Sequence, residues 1–166
     1  MMKKSTFLIV IAAILVLSFG CSSGSTRDTL PKVYPSELAI ENGDYVNVHG
    51  TIYNEDVLTD FLNKADRGED AFIRSVDYTV EGDPIIKEVS YTKEGFTVTI
   101  DTTRDKFGEQ AVTIKTYQNL LQYQDTENGI EYVVVTDLPE LTKELFDKGF
   151  EDGKEITILT IRPITE

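Results

Sequence analysis

Hydrophobic and polar residues divide this chain into an apolar start, a polar spacer and a long region of short alternating segments. From about residue 40, several segments place an apolar residue at every second position, as a half-buried strand does. Two other segments repeat apolar residues at the three- and four-residue spacing of an amphipathic helix. A chain of 166 residues suits one domain. The pattern therefore predicts a single folded domain over 37–166.

Seven segments have the alternation and the flanking turn signals of strands. Residues 92–95 and 125–129 have the composition of hairpin turns, the second with an Asn-Gly pair. The apolar face of the second predicted strand consists of Phe72, Val76, Tyr78 and Val80. The predicted strands are 45–52, 72–80, 85–91, 96–100, 111–124, 130–136 and 156–161.

Two segments are predicted helices. In the first, Asn54 is a good N-cap and Gly68 can close the helix. In the second, Asp137 and Glu140 have capping-box spacing, and Gly149 or the glycine at 153 ends the helix. The fold class that follows is α+β: a mostly antiparallel sheet of about five to seven strands with two helices packed on one face. The other face is then left to meet solvent or a ligand.

The apolar start is typical of a secretion signal. A short cationic segment precedes residues 7–19, which are apolar except for Ser18. Thirteen helical residues span roughly 20 Å, whereas a hydrocarbon core needs about 30 Å. Cys21, the only cysteine of the chain, follows directly, and this arrangement resembles a bacterial lipobox. We therefore interpret 1–20 as a lipoprotein signal peptide and Cys21 as the lipidated residue; an ordinary signal peptide or an uncleaved anchor is the alternative.

The net charge and the polar spacer indicate how such a protein is attached to the membrane. Residues 22–36 are rich in Ser, Thr and Pro, so 21–36 is predicted to be the lipidated Cys and a flexible tether. The net charge is −13, and removal of 1–20 takes away Lys3 and Lys4 and no acid. Such an acidic surface argues against nucleic acid and against attraction to anionic lipid. The expected location is the extracytoplasmic face of the cell membrane, with the lipid anchor as the only attachment.

Composition also restricts the chemistry. One Cys and one His exclude a disulfide framework, a multi-thiolate zinc site and an HExxH metal site. Asp101, Thr103 and Asp105 have the first spacings of a calcium loop, but Lys106 and Val112 stand where Gly and Glu are needed. An EF-hand is rejected, a looser calcium site stays open, and no metal or cofactor is predicted.

Five polar residues are the candidate contacts with a ligand or partner: His49, Glu81, Asp83, Arg104 and Asp105. Each has a plainer explanation. His49 can be a hydrogen-bonded structural histidine, residues 81–84 can form a β-turn in which Asp83 accepts backbone hydrogen bonds, and 104–106 can be a solvated connection with local ion pairs.

Three phrases of this sequence resemble a known family: residues 42–50 (NGDYVNVHG), 78–85 (YTVEGDPI) and 101–108 (DTTRDKFG). The family is one of small Gram-positive (Bacillus-type) lipoproteins that carry a domain of unknown function, number 4362. The resemblance implies a membrane-tethered extracytoplasmic domain and implies no activity. It transfers no catalytic residue to this chain.

The expected function is therefore a non-enzymatic binding domain at the cell envelope, with an envelope protein or peptide as its partner. Two alternatives stay open. One is a hydrolase that uses paired carboxylates, which would need one acid with a raised pKa beside an ionised one. The other is an acidic inhibitor or immunity-like protein whose charge steers it to a basic target.

Overall fold

The computed structural model of the chain describes residues 30–152 and 156–164. The predicted signal peptide and Cys21 lie outside the described residues. The helices are α1 (Ser36–Glu41), α2 (Glu55–Asp66) and α3 (Lys143–Asp152). The strands are β1 (Tyr45–Val48), β2 (Thr51–Tyr53), β3 (Ala71–Tyr78), β4 (Pro84–Thr92), β5 (Gly95–Asp101), β6 (Val112–Tyr117), β7 (Asn119–Asp125), β8 (Ile130–Thr136) and β9 (Ile156–Pro163). None of the helices described is long and apolar enough to cross a membrane.

The strands form two sheets, with the orders β2-β1-β3-β4-β5-β6 and β7-β8-β9. Every described pairing is antiparallel except that of β1 with β3. The predicted α+β class and mostly antiparallel pairing are confirmed. The sequence predicts one sheet, whereas the structure has two. Two of the predicted strands are each divided into two separate strands.

The first division falls within the predicted strand 45–52. His49 and Gly50 both have positive φ, 50° and 90°, and Val48 pairs with Thr51 across them. Two successive positive φ values are those of a tight hairpin turn, whose twist suits antiparallel strands. β1 and β2 are therefore the two strands of a hairpin. The expectation that His49 lies within a strand is wrong.

The second division falls at Gln118, within the predicted strand 111–124. β6 ends at Tyr117 and completes the six-stranded sheet, whereas β7 begins at Asn119 and pairs with β8. The backbone N–H of Gln118 donates to Asp137 Oδ1 at 3.0 Å. Asp137 thus stabilises this junction and does not cap α3, which begins at Lys143. Thr142 precedes α3, and its Oγ1 accepts a hydrogen bond from the N–H of Leu145.

The main core lies where α2 and both sheets meet. Leu58 and Phe61 of α2 are buried against the six-stranded sheet and against the three-stranded sheet. Burial of one such side chain stabilises the fold by roughly 1.5–3 kcal/mol. The buried members of this core are Tyr45, Leu58, Phe61, Ala71, Ile73, Val89, Phe96, Val98, Tyr117, Val133, Val135 and Leu159. α3 packs elsewhere, through Phe146 on Val134 and Ile156 of the second sheet. The two predicted helices therefore do not share one sheet face: α2 packs against both sheets, whereas α3 packs in a separate cluster on the second sheet.

The opposite face of the six-stranded sheet is covered as well. α1, which the sequence analysis does not predict, lies over it together with the segment 30–35. Tyr34 is only 2% exposed, and its carbonyl accepts a hydrogen bond from Tyr78 Oη at 2.8 Å. Residues 30–36 therefore pack on the domain, although the sequence analysis places them in the tether. The physical reason is that Leu30 and Tyr34 provide apolar surface within an otherwise polar spacer.

Coverage on both sides changes the interpretation of β3. Ile73 faces the main core, whereas Val76 and Tyr78 face α1 and the segment before it. Phe72 is 38% exposed and Val80, which lies beyond the strand, is 88% exposed. The predicted apolar face of this strand is thus correct for two of its four members.

Candidate functional site

All five candidate contact residues lie at one end of the six-stranded sheet. The β1–β2 turn carries His49, the β3–β4 connection carries Glu81 and Asp83, and the β5–β6 connection carries Arg104 and Asp105. β1 and β3 are parallel neighbours, and β4 and β5 alternate in direction, so these three connections meet at the same end. We call this region, together with the adjoining residues 30–35, the loop end.

His49 connects the β1–β2 turn with the β3–β4 connection. Its side chain is exposed, and Nε2 lies 2.9 Å from the carbonyl oxygen of Thr79, which accepts the hydrogen bond. The turn beneath it is fixed by Asn47, whose Oδ1 accepts from the N–H of Gly50 at 2.9 Å. Asn47 Nδ2 in turn donates to Asp77 on β3. His49 has the environment of a hydrogen-bonded structural histidine at a hairpin turn.

Glu81 and Asp83 are not displayed as a pair. Residues 79–82 form a turn in which the N–H of Gly82 donates to the carbonyl of Thr79, and Glu81 stands exposed on it. Asp83 is buried, and its two oxygens accept from the backbone N–H and the Nζ of Lys106, at 3.0 and 2.5 Å. The hydrogen bonds from Lys106 hold the pKa of Asp83 below its ordinary value. Asp83 is thus an ionised acceptor that joins two connections.

Arg104 holds the N-terminal segment on the domain. Its Nη1 donates to Asp101 Oδ2 at 2.8 Å and its Nε to the carbonyl of Pro31 at 3.1 Å, while Nη2 reaches the carbonyl of Leu30 at 3.5 Å. Burial acts to raise the pKa of Asp101, but the hydrogen bonds from Thr103 and Arg104 outweigh it and leave the pKa below its ordinary value. Arg104 therefore connects the end of β5 with the N-terminal segment.

Asp105 is occupied by its own connection. Its Oδ1 accepts from the backbone N–H groups of Phe107 and Gly108, both at 2.9 Å, and its carbonyl accepts from Gln110. This is an Asx-type turn, which shapes the loop locally. Among the described residues, no group of three or more His, Cys, Asp or Glu side chains is arranged to hold a metal ion.

A small cavity of about 170 Å³ lies between the loop end and the segment that precedes α1. Asp83, Arg104 and Lys106 line it, together with Lys32 and Val33 from the N-terminal side. The polar groups that line it on the sheet side already have protein partners. The structure therefore brings Asp83 and Arg104 to one cavity, whereas His49 and Glu81 do not line it.

Sequence reasoning did not find a buried ionic cluster beneath α1. Arg74 donates to Glu88 Oε1 at 2.9 Å and to Asp44 Oδ1 at 3.3 Å, and all three side chains are less than one tenth exposed. Tyr34 Oη donates to Asp44 Oδ2 at 2.5 Å. Burial raises the pKa of Asp44, although Tyr34 and Arg74 oppose the shift. Strand alternation assigns Arg74 to the same face as Val76, and only the unexpected helix α1 buries that face.

Sequence reasoning also missed the larger cleft, which lies at the opposite end of the six-stranded sheet. It has a volume of about 660 Å³ and is bordered by α2, by the β4–β5 hairpin and by β7. Its lining combines apolar residues with side-chain amides. The residues that line it are Thr59, Leu62, Asn63, Ala65, Asp66, Tyr91, Phe96, Gln118, Asn119, Leu120, Leu121, Gln122 and Arg162.

The cleft runs along an edge strand. β7 is the outer strand of its sheet and pairs with β8 on one side. The consecutive residues Gln118–Gln122 all border the cleft, and four of them belong to β7. An edge strand carries N–H and C=O groups that can pair with another extended chain. No signal in the sequence could have found this cleft, because it forms only when α2 and the second sheet meet.

A family model described as "Domain of unknown function (DUF4362)" matches residues 42–133. The match covers more than half of the chain, so the chain belongs to this family. It confirms the resemblance to domain number 4362 that the three sequence phrases indicate. No curated protein and no solved structure matches the chain. The matched residues include all five candidate contacts, from His49 to Asp105, and the lining of the large cleft except Arg162, but not residues 30–35 of the loop end.

Proposed function

We propose that this protein is a lipoprotein of the cell envelope, anchored on the extracytoplasmic face of the membrane by a lipid on Cys21. The support is the lone cysteine directly behind a cationic and apolar start. The packed domain begins by Leu30, so only eight residues, 22–29, separate it from Cys21. A chain of that length is at most about 30 Å long. The domain would therefore work close to the membrane surface.

Within that setting the domain acts as a binding module, and the large cleft is its binding site. The observation that carries this proposal is the edge strand β7 along a cleft of about 660 Å³. Such a site suits an extended peptide segment, which would pair with β7 through its backbone. Alternate side chains of the peptide would meet Leu62 and Tyr91, and the amides of Asn63 and Gln122 would select polar groups.

The carboxylates of the loop end fit this proposal better than they fit a hydrolase. A general acid needs a pKa raised toward neutrality, whereas hydrogen bonds from Lys106 lower the pKa of Asp83. Burial raises the pKa of Asp44, but Asp44 lies beneath α1 and lines neither the small cavity nor the large cleft.

The anchor is tested by the full-length Cys21→Ser variant with Ser22→Ala as its matched control. Mass spectrometry of the N-terminal peptide and fractionation of cells are the two measurements. We expect a lipid on Cys21 in the wild-type and control proteins, and an unprocessed or released Cys21→Ser protein. An unmodified Cys21 in the wild-type protein would show that the anchor is wrong.

The binding site is tested with a displayed library of short random peptides. We expect selected peptides to bind the wild-type protein and to lose at least tenfold in affinity with Asn63→Trp, which fills the cleft from an exposed position of α2. Asp56→Trp is the control, because Asp56 is exposed on the same helix and does not line the cleft. Equal losses in both variants, or no selected binder, would contradict a peptide site in the cleft.

A further inference from the structure

The loop end presents three large apolar side chains to solvent. Val80 is 88% exposed, Val33 is 78% exposed and Phe107 is 77% exposed. Other apolar side chains of similar size in the described part of the chain are less exposed, Ile114 being the next at 61%. A single exposed apolar side chain is normal on a protein surface. An exposed apolar group of this kind marks a contact surface when several lie together.

These three side chains come from three segments that the structure joins. Val33 lines the small cavity beside Asp83 and Lys106. Val80 is on the same turn as Asp83, and Phe107 follows Lys106. We call Val33, Val80 and Phe107 the apolar tips.

Hydrogen bonds and one ion pair hold the backbone beneath the apolar tips. Asp83 accepts from both the backbone and the side chain of Lys106, which joins the Val80 turn to the Phe107 loop. Arg104 donates to the carbonyl of Pro31, two residues before Val33. Asp105 accepts from the N–H of Phe107 itself. The apolar tips are therefore presented by supported backbone, which lowers the entropy that a binding event would have to overcome.

The N-terminal chain enters the domain at the same place. The carbonyls of Leu30 and Pro31 are held by Arg104, at the loop end. If Cys21 carries a lipid, residues 22–29 confine Leu30 to within about 30 Å of the membrane. The loop end is therefore the part of the domain that the anchor brings nearest to the lipid.

We propose that the apolar tips Val33, Val80 and Phe107 enter the headgroup region of the membrane that holds the anchor, and so fix the orientation of the domain. This inference rests on the proposed lipid anchor and adds a second, non-covalent membrane contact. The occupant is the lipid surface, because the length and the entry point of the N-terminal chain place that surface at the loop end. The large cleft, at the other end of the sheet, then faces away from the membrane.

Charges around the apolar tips indicate which force drives the contact. Lys32 and Lys106 are exposed beside them, but so are Glu81 and Glu109. This mixed set gives no strong attraction to anionic headgroups. The contact is therefore apolar, and it should occur on neutral and anionic lipid alike and change little with salt.

The absence of Trp from the chain permits a direct test. Phe107→Trp and Val80→Trp each introduce one indole at an apolar tip, and Ile114→Trp introduces one at an exposed apolar position in the middle of β6. The full mature lipoprotein is placed on vesicles of phosphatidylcholine, with and without phosphatidylglycerol. Tryptophan emission and its quenching by lipids with a nitroxide near the headgroup are then measured.

We expect blue-shifted emission and at least twofold stronger quenching for Trp at 107 and 80 than for Trp at 114, with both lipid compositions. Mass spectrometry of the same samples reports the lipid on Cys21. A lipidated protein whose three variants are quenched equally would overturn this inference and leave the anchor intact. An unlipidated Cys21 would overturn the anchor and the inference together. A blue shift without vesicles that grows with protein concentration would assign the apolar tips to a second copy of the chain and would also overturn the inference.

Discussion

The two ends of the six-stranded sheet are built in different ways. At the loop end, the β3–β4 and β5–β6 connections are held by charged contacts, such as Asp83 with Lys106 and Arg104 with Asp101, and large apolar side chains are exposed. At the cleft end, a two-residue hairpin and α2 pack directly on the core through Phe61 and Phe96, whose ring centroids lie 6.5 Å apart. Stability at the cleft end therefore depends on burial of apolar side chains, whereas the conformation of the loop end depends on ion pairs and hydrogen bonds.

This difference agrees with the two proposed contacts, a peptide at the cleft and the membrane at the loop end. A cleft bordered by packed elements keeps its shape, which suits recognition of a ligand. Clamped loops with exposed apolar tips suit contact with a surface. Because the two regions share little but the sheet between them, a substitution at one end should leave the conformation of the other end unchanged in the folded protein. The following predictions test that independence, beginning with the largest effect.

Phe61→Ala should destabilise the whole domain by about 3–5 kcal/mol, since it removes a fully buried aromatic ring from the main core. The measurement is chemical denaturation followed by circular dichroism. Asn63→Ala, on an exposed position of the same helix, is the control and should change stability by less than about 0.5 kcal/mol. Similar losses from both substitutions would show that the cleft end does not depend on this burial.

Arg104→Ala should lower stability by about 1–3 kcal/mol, because it leaves the buried carboxylate of Asp101 without its cation. The loss should also be local: hydrogen exchange and proteolysis should increase at residues 30–35, while α2 keeps its protection. Arg67→Ala is the matched control, since Arg67 pairs with Glu69 on an exposed surface and such pairs contribute little. Uniform loss of protection across the domain would contradict a local clamp.

Low pH should weaken the same contact between Asp101 and Arg104. Hydrogen bonds from Thr103 and Arg104 keep the folded pKa of Asp101 below its ordinary value of about 3.9. The folded state therefore gains stability from Asp101 above that ordinary value and loses it as the pH falls through the lower, folded pKa. The difference in stability between the wild type and Asp101→Asn should accordingly be largest at neutral pH and shrink below about pH 4. A difference that grows on acidification would contradict the assignment.

Local patterns predict much of this fold, and the failures have identifiable causes. The helix over 55–66 and the hairpin around Lys93 follow from side-chain spacing and turn composition, which are properties of neighbouring residues. The burial of Tyr34 and Arg74 depends on α1 packing across a sheet face, which no local period records. The contacts of Asp83 and Arg104 at the loop end have the same origin, because their partners lie more than twenty residues away in the sequence.

The candidate binding site shows the limit of sequence reasoning most clearly. Polar residues in turns attract attention in a sequence, and at the loop end most of them serve the fold itself. The large cleft is lined by ordinary side chains such as Leu62 and Gln122, which carry no chemical signature. Its significance comes from the position of β7 as an outer strand of its sheet, and strand order within a sheet cannot be read from alternation.

The smallest effect is expected at His49, which is the only histidine of the chain and one of the five candidate contacts. Its backbone has a φ of 50°, and the side chain makes one exposed hydrogen bond to Thr79. His49→Asn should change stability by less than about 0.5 kcal/mol, since Asn tolerates this left-handed conformation. His49→Val should cost about 1–2 kcal/mol, because a β-branched residue is strained there. Thermal unfolding of both variants, with peptide binding at the cleft as a second measurement, checks this. A loss of peptide binding in His49→Asn with unchanged stability would show instead that the loop end takes part in recognition, and that the two ends are not independent.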